Sequence, residues 1–224
     1  VGGEEVAGKD TDWRGSSGKT WNKACRDCNL CFGKRKELDK RNQTVTNYNT
    51  GSDAANTAVR SFLTKVGEHY LGRSFNTSSG RSKEVWLRIK NSVFGGRCAY
   101  CNATGVDLQI EHLVMFNRTE FGLHHPGNTV PVCKPCNNRK RDHEKKYVSW
   151  QEHLRGVCEE KGEKSKFEER EKKILTHIKN EKYPVLTQEE RNAIRVVSEK
   201  LYVNIKNQVE SSLELYKDLD TAFV

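Results

Sequence analysis

The chain carries two cysteine pairs, Cys98-x-x-Cys101 and Cys133-x-x-Cys136, separated by 31 residues. Each pair can curl around one ion with thiolate–zinc bonds of about 2.3 Å, and together they close a tetrahedral site of four sulfurs. Four thiolates leave no open coordination position, so zinc here is expected to be structural, clamping both ends of the segment between the pairs. A third group, Cys25-x-x-Cys28-x-x-Cys31, offers three more thiolates, and Cys158 is left to complete a second zinc site, with His153 as a replacement ligand. The same spacing also suits an iron–sulfur cluster with a distant fourth cysteine; colour separates the two. The segment enclosed by the first site holds more than a clamp needs: Glu111 directly before His112, then Asn128, with Asn137 just past the last cysteine.

Taken in order, the first cysteine pair, Glu111-His112, Asn128 in GNTVPVC, the second pair and the CNNRK run from Cys136 resemble the HNH, or ββα-metal, endonuclease family in its zinc-knuckle form, as in restriction or mobile-element endonucleases. The resemblance covers about residues 82–150, roughly a third of the chain. It implies an α+β fold: a ββα-metal (HNH) core with four-cysteine zinc knuckles, flanked by largely helical extensions at both ends. It also implies roles. His112 would be the general base, Asn128 would steady it, and Glu111 with Asn137 would hold a catalytic Mg2+ or Mn2+. The family more often has Asp where this chain has Glu111, so the ion is expected to sit slightly displaced. Arg139, Lys140 and Arg141 would follow on the next helix and contact backbone phosphate; His143, about one and a half turns beyond Asn137, is within reach of the metal but is not expected to ligate it. His124 and His125 fall in a variable loop, where exposure or contact with phosphate is expected.

Phosphodiester hydrolysis explains why these residue types belong together. It needs a deprotonated water in line with the scissile bond, a cation on the developing oxygen charge and a fixed geometry. An imidazole of ordinary pKa, near 6.5, takes a proton at neutral pH. Mg2+ suits a site with few protein oxygens, because it keeps several waters and accepts phosphate oxygens. Neighbours on a strand point to opposite faces, so Glu111 and His112 reach one phosphate only at a bend or a strand edge.

The formal charge of +9, from 39 Lys and Arg against 30 Asp and Glu, favours a polyanionic partner. Double-stranded DNA is the expected one, cut at specific sites with the flanks making base contacts. The rival is a catalytically silent zinc-ribbon module that binds nucleic acid; it accounts for the cysteines and the charge but not for the ordered acid, histidine and asparagines. No apolar run approaches a membrane span and none near the N-terminus resembles a signal peptide. A soluble, cytoplasmic protein of bacterial or phage type is expected, with no membrane partner. With 34% hydrophobic and 31% charged residues the core will be thin, which makes metal staples valuable.

These residues need elements to position them. Residues 1–24 are rich in Gly, Ser, Asp and Lys and predict a loop or unstructured arm. With the cysteine knot, the basic KRKELDKR run and the next helix they make an arm of 1–81 for DNA recognition. That helix starts at Asp53, carries Ala55, Val59, Phe62, Leu63 and Val66 at helical spacing, and ends near Gly67 or Gly72. The nuclease-like core of 82–158 opens with a helix through Val85, Trp86 and Ile89 that stops before Gly95-Gly96. A C-terminal extension of 159–224 contains a solvated helix with a Ser165–Glu168 capping box. After a Thr187–Glu190 box an amphipathic helix of about 30 residues, spanning roughly 45 Å, follows. That length suits clasping the chain or pairing with a second copy in a homodimer.

Overall fold

The computed structural model describes residues 13–14, 20–21, 50–78, 83–144 and 146–222. The chain divides into two compact units, Val1–Thr50 and Gly51–Val224. In the first, β1 (Trp13–Arg14) pairs antiparallel with β2 (Thr20–Trp21), Trp13 opposite Trp21. Composition over 1–24 predicts no such ladder, because strands of two residues are too short to carry an alternating pattern. Cys25, Cys28, Cys31 and the basic run lie outside the described residues.

The second unit begins with α1 (Thr50–Leu71). Gly51, Ala55, Val59, Leu63 and Gly67 recur every fourth residue and form its buried ridge. The ridge ends in glycine for a steric reason: a Cβ on Gly67 would meet the His124 carbonyl oxygen at 2.4 Å. Gly67 is therefore a packing residue and the helix runs through it; Gly72, at φ +71°, turns the chain away. Val59 and Leu63 pack with Leu123 and Ile194. The helix assigned by sequence to an arm of 1–81 thus shares a core with much later residues, and the division falls at Thr50.

α2 (Lys83–Arg88) continues into a π-helical turn, Ile89–Val93, and buries Val85, Trp86 and Ile89 before Gly95-Gly96, as its spacing predicts. β3 (Leu108–His112) pairs antiparallel with β4 (Thr129–Cys133), Leu108 opposite Cys133 and His112 opposite Thr129. All of β4 is buried. Tyr100, Phe94, Ile89, Val130, Val132, Leu154, Cys158 and Ile174 pack around this hairpin. The architecture is α+β, mostly helical with a small two-stranded sheet and a cysteine cluster able to hold a metal ion.

Two expectations are corrected in the next stretch. Among the described residues no helix follows the second cysteine pair directly: after the short turn Lys134–Cys136 they are extended or turning until α3 (Trp150–Glu160). The Asp142 carboxylate accepts from the Glu144 and Lys146 amides and Arg141 bridges to Tyr147, so the chain folds back on itself there. α3 starts where Ser149 and Glu152 form a reciprocal capping box. The Ser165–Glu168 box does not form, because a 3-10 turn, Lys164–Lys166, draws Ser165 into the helical path before α4 (Phe167–Asn180). The Thr187–Glu190 box does form, at the start of α5 (Gln188–Ala222).

The 35 residues of α5 extend about 52 Å. Ile194 is buried against α1, and the Tyr202 hydroxyl meets the Ser52 hydroxyl at 3.2 Å, so α5 lies along α1 as a clasp. Among the described residues no helix is long and apolar enough to cross a membrane. Gly67→Ala is expected to cost about 1–3 kcal/mol, since the added methyl meets backbone that cannot rotate away; urea unfolding of the variant against wild type measures it.

Candidate functional site

The cysteine cluster is built by backbone turns. The Cys98 amide donates to the Ala103 carbonyl at 3.0 Å and the Asn102 amide to the Cys98 carbonyl at 2.9 Å, curling the first pair. Asn102 adopts φ 59° to make that curl. The Ala99 amide donates to the Pro131 carbonyl at 2.8 Å, which docks this turn on β4. Cys133 ends β4 and Cys136 closes the 3-10 turn after it. The four sulfurs all lie within 4.8 Å of one another, and Cys101 and Cys133 are 3.6 Å apart. A tetrahedral zinc site with bonds of about 2.3 Å separates its sulfurs by about 3.8 Å, so Cys98, Cys101, Cys133 and Cys136 fit one structural ion. The Cys98 thiol is held down to about 4, chiefly by its hydrogen bond with Cys136, whose own thiol that bond pushes far up. Burial takes Cys101 up to about 11. A cation on all four would need each as a thiolate, so binding would release the protons that remain.

Cys158, expected in a second zinc site, is buried in the core with its sulfur 3.4 Å from an Arg170 guanidinium nitrogen. The three cysteines expected beside it are outside the described residues. His153 bonds the Cys136 carbonyl at 2.8 Å through its ring, tying α3 to the knuckle.

The β3–β4 hairpin presents the acid and the histidine on opposite faces. His112 stacks on Phe116, ring centres 4.8 Å apart, and its Nε2 meets Nδ1 of His124 at 3.0 Å. His124 in turn lies against Phe75, centres 4.8 Å apart. His112 is only half-buried by surface area, yet this packing and the neighbouring charges push its ring down to about 3, with desolvation first and His124 and Arg139 adding to it. Desolvation takes His124 down to about 4. Both rings are neutral at neutral pH, and one donates to the other.

Asn128 is fully used as a brace. Its Oδ1 accepts from the Val114 amide at 2.7 Å, and its Nδ2 donates to the Val114 and Leu123 carbonyls, each at 2.9 Å. The loop from Leu113 to Gly127 is thereby pinned to the end of β3, next to His112. A second tie comes from α4: Nε2 of buried His177 meets the Pro126 and Thr129 carbonyls at 3.1 and 3.0 Å. Nε2 must carry the proton there, since both partners only accept. His125 is buried as well, its Nδ1 accepting from the Gly127 amide at 3.1 Å, and burial takes it down to about 4. Where exposure or contact with phosphate is expected, His125 is buried and His124 half-buried: the loop folds inward because Leu123 is core.

On the other face Glu111 is buried in an ion pair with Arg139. Arg139 also donates to the Leu113 carbonyl and the His112 carbonyl, both at 2.9 Å. Burial raises the Glu111 carboxyl above its ordinary range, and the charge of Arg139 only partly offsets this. Arg139 therefore does not offer its guanidinium to a phosphate, contrary to the sequence expectation, because the chain is extended here and alternates: Arg139 points in, while Asn138 and Lys140 point out. Lys140 pairs with Glu160 at 3.1 Å, and Arg141 lies over the Tyr147 ring at 4.5 Å; both are exposed. His143 is exposed beside Glu144 at 3.9 Å. The Asn137 amide donates to Gln109 at 2.9 Å. Glu111 and Asn137 thus lie on one side of the hairpin, but as arranged they do not make a resident cation site, because the one carboxylate is already neutralised.

Sequence reasoning missed His124 as the partner of His112, and Arg139 as the partner of Glu111. The first has no local signal; the second was disguised by its basic neighbours. No family model, curated protein or solved structure matches the chain.

Two outcomes follow from this geometry. Cys133→Ser is expected to lower bound zinc by about one equivalent and the Tm by on the order of 10 °C, read by metal analysis and calorimetry. The buried histidines bind protons more readily unfolded, near pKa 6.5, than folded, so their contribution is complete above about pH 6.5 and is lost as pH falls towards 4, by at most about 1.4 kcal/mol per unit per ring. Urea unfolding across that range is expected to show the slope, and His124→Phe to make it shallower.

Proposed function

We propose that the chain hydrolyses phosphodiester bonds in double-stranded DNA as an HNH-type endonuclease, with His112 as general base and Asn128 as the residue that positions it. The observation that carries this reading is the brace of three hydrogen bonds from Asn128 to Val114 and Leu123, which holds the loop beside His112. A buried amide spent entirely on fixing a loop next to one imidazole is what a site needing a rigid base requires. Among the described residues β3 pairs with β4 alone, and the reading calls for a phosphate to approach the His112 end of β3, where Arg139 now holds the His112 carbonyl. The His112 ring is a weak base while dry, but an incoming phosphate brings negative charge beside it and raises its proton affinity.

Zinc at Cys98, Cys101, Cys133 and Cys136 would hold the frame and take no part in chemistry. The reading calls for Mg2+ or Mn2+ at Glu111 and Asn137, arriving with substrate. Exposed Lys140 and Arg141 remain as contacts for backbone phosphate. With a formal charge of +9, the chain suits a polyanion.

A second reading, a silent zinc-ribbon module that binds nucleic acid, is favoured by one observation: Arg139 occupies the Glu111 carboxylate. Plasmid nicking with Mg2+ separates the two. The nuclease reading expects cleavage by wild type, abolished by EDTA, and slowed about 100-fold or more in His112→Ala with DNA binding retained. No cleavage by wild type under any divalent ion, with binding intact, leaves the silent module; normal cleavage by His112→Ala removes this mechanism.

A further inference from the structure

We infer that Arg139 is the resident cation of an oxygen-lined pocket at the end of β3, and that a divalent ion and this guanidinium exclude one another there. What this means for catalysis rests on the nuclease reading above, but the pocket stands on its own contacts. Three oxygens converge on two guanidinium nitrogens: Nη2 takes the Glu111 carboxylate and the His112 carbonyl, and Nη1 takes the Leu113 carbonyl. One carboxylate with two main-chain carbonyls is the donor set of a hard cation, not the usual surroundings of a surface arginine. Glu120 lies close enough for its charge to act on Glu111, and both Arg139 and Arg141 act on Glu120 in turn; one oxygen of Glu120 is buried without a hydrogen-bond partner.

Nε of Arg139 and the Tyr100 hydroxyl are both buried, and the contact between these two side chains falls short of a well-formed hydrogen bond. A hard ion binding the Glu111 carboxylate would sit against the positive charge that Nη2 already places on it, and two cations this close repel each other strongly in a buried site. Without nucleic acid, therefore, wild type should hold no divalent ion at Glu111. Removing the guanidinium leaves a buried carboxylate uncompensated among carbonyl oxygens, and the pocket should then take up a cation from solution.

The test uses the full zinc-loaded chain without nucleic acid and Mn2+ as probe, read by electron paramagnetic resonance of free Mn2+ and by thermal unfolding. Arg139→Met is expected to bind Mn2+ about tenfold or more tighter than wild type and to melt higher with Mn2+ than without, while wild type melts alike in both. Adding Glu111→Gln to Arg139→Met should abolish the gain and so assign it to this pocket. Should Arg139→Met fail to fold alone, folding restored by millimolar Mn2+ supports the inference and folding not restored overturns it. Wild type binding Mn2+ as tightly as Arg139→Met, or a folded Arg139→Met indifferent to Mn2+, also overturns it. Plasmid nicking reads the nuclease proposal separately: active wild type with no Mn2+ response in Arg139→Met would sink this inference and leave the nuclease standing.

Discussion

Four sulfurs from turns 31 residues apart in sequence, brought within 4.8 Å of one another, are the constraint on which the second unit depends. Closing a loop of that length costs chain entropy, and the chain has few apolar residues with which to offset it. A metal ion held by those sulfurs would offset it locally, at the two ends of the segment that needs order. The β3–β4 register then follows, because Cys133 is itself the residue opposite Leu108. Every polar arrangement between the turns inherits its position from that register.

Inside the clamp the order is polar rather than hydrophobic. Asn128, Arg139 and His177 are buried, and each spends its side chain on backbone carbonyls or amides of the loop and hairpin. Buried polar groups of this kind are tolerated only when paired, and once paired they fix a single geometry. The loop from Leu113 to Gly127 has no regular structure across most of its length, yet Leu123 is fully buried and three such side chains hold its ends. This rigidity is what gives His112 and His124 a fixed contact at 3.0 Å.

Glu111 and His112 show how one strand separates two chemistries. Alternation puts the carboxylate on the Arg139 side and the imidazole on the Phe116 side, although they are adjacent in sequence. Desolvation acts on both sides, raising the acid and lowering the base. The two groups are thus each held in a pair, Glu111 with Arg139 and His112 with His124. Under the proposed hydrolysis, an anionic phosphate at the strand end is what would disturb both pairings at once.

Local patterns made much of the fold legible. Apolar spacing located α1, α2 and α5, the Thr187–Glu190 pair marked the start of α5, and cysteine spacing identified a cluster able to hold a metal ion, since each of these signals acts over a few residues or over repeats of one thiol motif. Ser165 and Arg139 were misread for one reason: the same local pattern, a capping box or a basic run, has more than one backbone path, and a 3-10 turn or an extended segment took the other. The sequence by itself determined which side chains are available for chemistry and roughly which elements carry them. Only the tertiary structure decided the pairing, Glu111 with Arg139 and His112 with His124, because contacts between residues 28 and 12 positions apart depend on how a loop closes, and no periodicity encodes that.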